Sequence, residues 1–119
     1  MADPVRILVV EDEWLIAEDH AANLRRAGHH VVGPFASVKA ALAAVESEEI
    51  DLALLDFELS DENSYPVAER LHQRGIPFAF LSGHTELHLP ADMDGAHIIG
   101  KPIAPACLLA TVDRLSGDR

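Results

Sequence analysis

Glu11, Asp12, Asp56, Ser82 and Lys101 are the residues of this chain whose types could do chemistry together, and each stands at the end of a short apolar run. VRILVV precedes Glu11, LALL precedes Asp56, FAFL precedes Ser82 and HIIG precedes Lys101. Three carboxylates in one crevice repel one another and raise each other's pKa unless a cation intervenes. Mg2+ is the natural occupant, with Mn2+ the alternative ion, because Mg2+ takes hard oxygen ligands and is usually held by one or two carboxylates plus phosphate. A carboxylate can also attack phosphorus to form an acyl phosphate. Metal and ammonium then neutralise charge on the equatorial oxygens during in-line transfer. Asp56 is the candidate nucleophile, Lys101 its counter-charge, and the Ser82 hydroxyl a donor to a phosphoryl oxygen. A Gly-rich loop is missing, so a nucleotide-cradling site is not indicated.

The elements that must bring these residues together follow from periodicity. Val5 to Val10 is a β-branched run typical of a strand buried on both faces. From Glu13 to Ala27 the period becomes helical, with Trp14, Ala17, Ala21 and Leu24 on one stripe and Gly28 at the C-cap position. A second strand is expected from His30 to Gly33, ended by Pro34. Ser37 can cap a second helix carrying Val38, Ala41, Leu42 and Val45 inward. Leu52 to Leu55 forms a third strand ending at Asp56, and Phe57 to Ser64 a polar loop. Tyr65 to Arg74 reads as a third helix with Pro66 in its first turn. Phe78 to Leu81 and His97 to Ile99 are the fourth and fifth strands. Pro105 to Leu115 is the last helix, with Leu108, Thr111, Val112 and Leu115 inward. From His84 to Gly95, between strands four and five, the helical signal fails, and any helix there should be short or mobile. Alternating strands and helices imply an α/β doubly wound parallel sheet joined by right-handed crossovers. Ligands of such sheets bind outside the carboxyl ends of the strands, where all five residues fall.

Composition narrows the class. At 119 residues the chain has room for one domain, expected to span 1–119 with no output domain. Its formal charge of −11 disfavours both nucleic acid and anionic membrane surfaces as partners. No apolar run approaches the roughly 18–20 residues of a membrane span, and the acidic N-terminus does not resemble a secretory signal, so a cytoplasmic location is expected. Cys107 is alone, which excludes an intramolecular disulfide, and it is read as a small hydrophobe within the last helix. Trp14 is expected to be partly buried beside the acidic pair. The seven histidines show no convincing ligand pairs, and His84, His88 and His97 near the site edge are read as solvated or capping.

VVEDE (Val9 to Glu13), LLDFEL (Leu54 to Leu59), FLSGH (Phe80 to His84) and GKP (Gly100 to Pro102) together resemble the receiver domain of bacterial two-component response regulators. The resemblance covers essentially the whole chain. It implies a flavodoxin-like (βα)5 fold with sheet order 2-1-3-4-5, and a phosphoryl group accepted by Asp56 from a sensor histidine kinase. It further implies that Glu11, Asp12 and Asp56 hold Mg2+ with the Glu58 carbonyl, that Lys101-Pro102 is cis, and that Glu58 and His84 tune acyl-phosphate lifetime. More narrowly the chain is similar to single-domain receivers with a Phe-x-Thr/Ser-Gly signature after strand four, on LIAEDH, VVGP and SYPVAERL. Such a protein would act as a monomer or weak homodimer, by binding an effector, feeding a phosphotransferase in a phosphorelay, or draining phosphoryl groups from a kinase.

Two positions depart from the family's pattern: Ser60 stands where Pro is common, and Ile98 occupies a switch position that is usually aromatic. Two other functions remain open on the residues alone. A metal-dependent phosphohydrolase would use Asp56 as nucleophile with Glu58 as acid/base, although no substrate cap is evident. A phosphorylation-independent binding module would need neither.

Overall fold

VRILVV becomes β1, Arg6–Val10, the second strand of a five-stranded parallel sheet with the order β2-β1-β3-β4-β5. The computed structural model describes residues 3–83 and 96–117. Along them run β1, α1 (Trp14–Arg26), β2 (His30–Phe35), α2 (Val38–Ser47), β3 (Leu52–Asp56), α3 (Tyr65–Gln73), β4 (Phe78–Ser82), β5 (His97–Gly100) and α4 (Pro105–Gly117). The flavodoxin-like order expected from the resemblance is the observed one. The short or mobile helix expected between strands four and five falls on residues 84–95, outside the described residues, together with His84 and His88.

Alternation along each strand splits the core in two. Leu8, Val10, Ala53, Leu55 and Phe80 face α2 and α3, with Val67 and Leu71 packed against them. Ile7, Val9, Leu52, Leu54 and Ala79 face α1 and α4, where they meet Leu24, Leu108, Val112 and Leu115. The central strands are apolar on both faces because helices cover both. Each fully buried Leu contributes about 1.5–3 kcal/mol, so the strand ends that carry the site rest on rigid supports. Ser37 caps α2 as expected, its hydroxyl accepting from the Ala40 N–H at 3.2 Å.

Several expectations need correction. Trp14 does not share the buried stripe of α1: it is 70% exposed and Leu15 is 67% exposed, while His20 is buried with Ala17, Ala21 and Leu24. The first turn of α1 begins just past the end of β1, where the sheet offers it no surface to pack on. Cys107 is exposed, because it sits about one helical step from the inward face of Leu108, Thr111, Val112 and Leu115. His29, also buried, accepts a hydrogen bond from the Val5 N–H on Nδ1 at 3.2 Å. His97 opens β5 opposite Ala79, at the far end of that strand from Lys101.

Pro34 does not end β2, which continues through it to Phe35. An edge strand can carry a proline because one side of its ladder needs no partner. The register with β1 slips by one residue between Leu8 and Val10, so that Val10 faces Phe35. Both Gly33-Pro34 and the expected Lys101-Pro102 peptide bond are cis. The bulge carries the Phe35 carbonyl to the Glu11 N–H, which donates to it at 2.9 Å. The acidic pair is therefore held by the edge strand as well as by β1.

Gly33 makes that bulge possible. Its φ is +108°, and a Cβ there would stand 2.9 Å from both the Phe35 backbone nitrogen and its ring. Gly28, at φ +94°, has open space where its Cβ would be. Gly33→Ala is expected to destabilise the fold by about 2–4 kcal/mol and Gly28→Ala by about 1 kcal/mol. Urea unfolding of the two variants checks this ordering; equal losses would mean that the contact with Phe35 is not what excludes a side chain.

Candidate functional site

All strands run parallel, so their carboxyl ends line one edge, and the chemistry-bearing residues meet there. Glu11 and Asp12 follow β1, Asp56 closes β3, Ser82 closes β4 and Lys101 follows β5. Backbone bonds between neighbouring strands lock these ends together: the Phe57 N–H donates to the Leu81 carbonyl at 2.9 Å and the Lys101 N–H to the Ser82 carbonyl at 2.8 Å.

The side chains form a compact charged network. Lys101 Nζ donates to Asp56 Oδ1 at 3.0 Å and to Glu11 Oε1 at 3.4 Å. Glu11 Oε2 also accepts from the Glu13 N–H at 3.2 Å. One oxygen each from Glu11, Asp12 and Asp56 lies within 4.8 Å of the others. Glu11 and Asp56 are each 2% exposed, so little water screens their repulsion. Burial, followed by the hydrogen bond and charge of Asp56, pushes the Glu11 carboxyl from its ordinary 4.5 up to about 7. Burial works against the charge on Lys101, but its bonds and attraction to Asp56 and Glu11 outweigh that and raise its pKa. Asp12 moves the other way: a hydrogen bond from the Ser60 hydroxyl lowers its pKa.

One ammonium against three carboxylates leaves an excess of two negative charges. The donor set is all hard oxygen, converges from two strand ends and is spaced so that a single ion can bridge it, which fits a divalent cation such as Mg2+. Burial and the neighbouring Asp56 favour the protonated form of Glu11.

Two contacts were not legible beforehand. Ser60 stood out in the sequence only as a missing proline, yet its hydroxyl donates to Asp12 and ties the acidic pair to the β3–α3 loop. Glu58 was expected to contribute a backbone carbonyl to the metal. Its side chain, moreover, reaches Ser82, whose hydroxyl donates to Glu58 Oε1 at 2.8 Å. Ile98 pairs with Phe80 and packs, partly buried, against the α2–α3 side of the core. Beside Lys101, an open groove of about 560 Å3 is lined by Leu15, Ile16, Asp19, His20, Pro102 and Ile103. Burial lowers the pKa of His20.

A family profile for the response regulator receiver domain matches residues 7–113. The chain belongs to that family. Receivers are domains of two-component signalling, and the flavodoxin-like sheet described above is theirs. This receiver is 33% identical over 112 residues to the phyllosphere-induced regulator PhyR of Methylorubrum extorquens, covering 91% of this chain and 42% of that protein. It spans about half the length of the curated relatives it matches. Among solved structures it is similar to a CheY-like receiver domain protein from Methanospirillum hungatei, with TM-score 0.85 and 28% identity over 98% of this chain and 97% of that one. It is likewise similar to SdrG from Sphingomonas melonis, with TM-score 0.79 and 35% identity over 97% of this chain and 98% of that one. No described helix of the receiver is long and apolar enough to cross a membrane.

The raised pKa of Glu11 has a consequence for stability. A carboxyl whose folded pKa lies above its unfolded one binds its proton more tightly in the folded chain, so ionising it costs stability. That loss is absent below about pH 4.5, grows towards about pH 7 and is complete above it. Glu11→Gln cannot ionise, and is expected to stabilise the metal-free receiver by about 1–3 kcal/mol at pH 8. The gain should shrink steadily towards pH 5. Paired urea titrations check it, and a gain independent of pH would mean that relief of charge crowding is not its source.

Proposed function

We propose that this receiver accepts a phosphoryl group on Asp56 from the phosphohistidine of a sensor histidine kinase, with Mg2+ or Mn2+ bound by Glu11, Asp12, Asp56 and the Glu58 carbonyl. The observation that carries this reading is the convergence on Asp56 of Lys101 Nζ, at 3.0 Å, and of the Glu11 and Asp12 carboxylates. In the transfer, an Asp56 oxygen forms a bond to phosphorus while the bond from phosphorus to the donor's imidazole nitrogen breaks. The electron pair of that bond leaves with the imidazole. Lys101 holds Asp56 in position and offsets negative charge on the incoming group, and the Ser82 hydroxyl donates to one of its oxygens. The bound cation would supply further neutralisation of phosphoryl charge.

Among the described residues, the groove beside Lys101 and the exposed Trp14 and Leu15 offer a protein donor an accessible surface at this edge. Glu58, two residues past Asp56, and His84, two residues past Ser82, are proposed to set the lifetime of the acyl phosphate by controlling water access. The output is proposed to run through an effector or a phosphotransferase, with the chain acting as a single-domain receiver in the cytoplasm, as a monomer or weak homodimer and without binding nucleic acid. Similarity to SdrG over nearly its whole solved chain supports the single-domain reading.

Incubation with acetyl phosphate and Mg2+, followed by intact-mass measurement, is the direct test. A single phosphoryl adduct is expected on the wild type, and none on Asp56→Asn or in the presence of a chelator. Sustained release of phosphate from small phosphate esters would instead support a phosphohydrolase. Failure to bind either Mg2+ or beryllofluoride would support a phosphorylation-independent binding module.

A further inference from the structure

The contact between Ser82 and Glu58 conflicts with the part Ser82 has in phosphoryl binding. A serine hydroxyl carries one proton to donate, and Ser82 donates it to Glu58 Oε1 at 2.8 Å. Ser82 is fully buried at the end of β4, and its carbonyl accepts from the Lys101 N–H, which fixes the backbone that carries the hydroxyl. Glu58 is equally well aimed. The Phe57 N–H is tied to Leu81, the Ser64 N–H donates to the Phe57 carbonyl at 2.9 Å, and Glu58 itself bridges to Asn63 across the loop. The backbone on both sides of Glu58 is therefore pinned next to Ser82, while the residue as a whole stays exposed.

We propose that the Glu58 carboxylate is an internal competitor of the phosphoryl group. In the unphosphorylated protein it accepts the Ser82 hydrogen bond that a phosphoryl oxygen on Asp56 would accept. Phosphorylation then exchanges one anionic acceptor for the other. In the exchange the buried hydroxyl stays bonded, and the displaced carboxylate belongs to an exposed residue. One donated proton cannot bond two anions at full strength, so the incoming group displaces Glu58 from Ser82. The phosphorylation signal thus reaches the surface of the β3–α3 loop directly, through residue 58, without needing a ring at Ile98. The inference rests on the phosphoacceptor reading of Asp56.

A double-mutant cycle separates this from a general charge effect. The affinity of the purified protein for beryllofluoride in saturating Mg2+ is measured calorimetrically for the wild type, Glu58→Ala, Ser82→Ala and the double variant. Glu58→Ala is expected to bind about tenfold more tightly than wild type, and to gain little or nothing when Ser82 is already Ala. Thermal melts establish that each variant folds. Should Ser82→Ala fail to fold, Glu58→Gln decides: its amide oxygen keeps an acceptor for Ser82 without the charge, and its gain should fall well short of that of Glu58→Ala. An equal gain in both Ser82 backgrounds, an equal gain for Gln and Ala, or no gain at all overturns the competition. A wild type that binds no beryllofluoride overturns the phosphoacceptor reading along with it, whereas a binding wild type with an additive cycle overturns the competition alone.

Discussion

Three carboxylates held at the ends of two neighbouring strands repel one another, and much of this molecule exists to keep them together anyway. Glu11 and Asp56 are almost entirely buried, so the repulsion between them is weakly screened. Lys101 answers one charge from a third strand end, and burial beside Asp56 raises the pKa of Glu11 to about 7. The remaining oxygens are spaced so that a divalent cation could bridge them.

Such crowding survives only on a stiff support. β1 and β3 lie side by side in the sheet, apolar on both faces and covered by two described helices on each. Backbone bonds from Phe57 to Leu81 and from Lys101 to Ser82 carry that rigidity out to the strand ends. The edge strand adds one brace: the bulge at Gly33 delivers the Phe35 carbonyl to Glu11. The β3–α3 loop adds another through Ser60, which holds Asp12 from the opposite side. The acidic pair is thus fixed from the edge strand on one side and the β3–α3 loop on the other.

The order of elements could be read from the chain because each strand is a short apolar run and each described helix has a stripe at helical spacing. LALL ending in Asp56 and FAFL ending in Ser82 announced both the strands and the site, since in a parallel sheet every strand end faces the same way. The same logic misjudged Trp14 and Cys107. Periodicity assigns a residue to a helical face, but whether that face has anything to pack on depends on where the helix begins relative to the sheet. It also ended β2 too soon, because a proline forbids a hydrogen bond on one side of a strand while an edge strand requires bonds only on the other.

Residue types and their positions along the chain determined, by themselves, the doubly wound sheet, the edge at which chemistry collects and the identity of the groups collected there. Those properties follow from local periodicity and chain connectivity. Only the tertiary structure decided how the groups are paired: Lys101 shared between Asp56 and Glu11, Ser60 bonded to Asp12, and the Ser82 hydroxyl taken by Glu58. Pairing is set by distances of a few ångströms between side chains dozens of residues apart. Such distances depend on strand register and loop path, which no local pattern encodes.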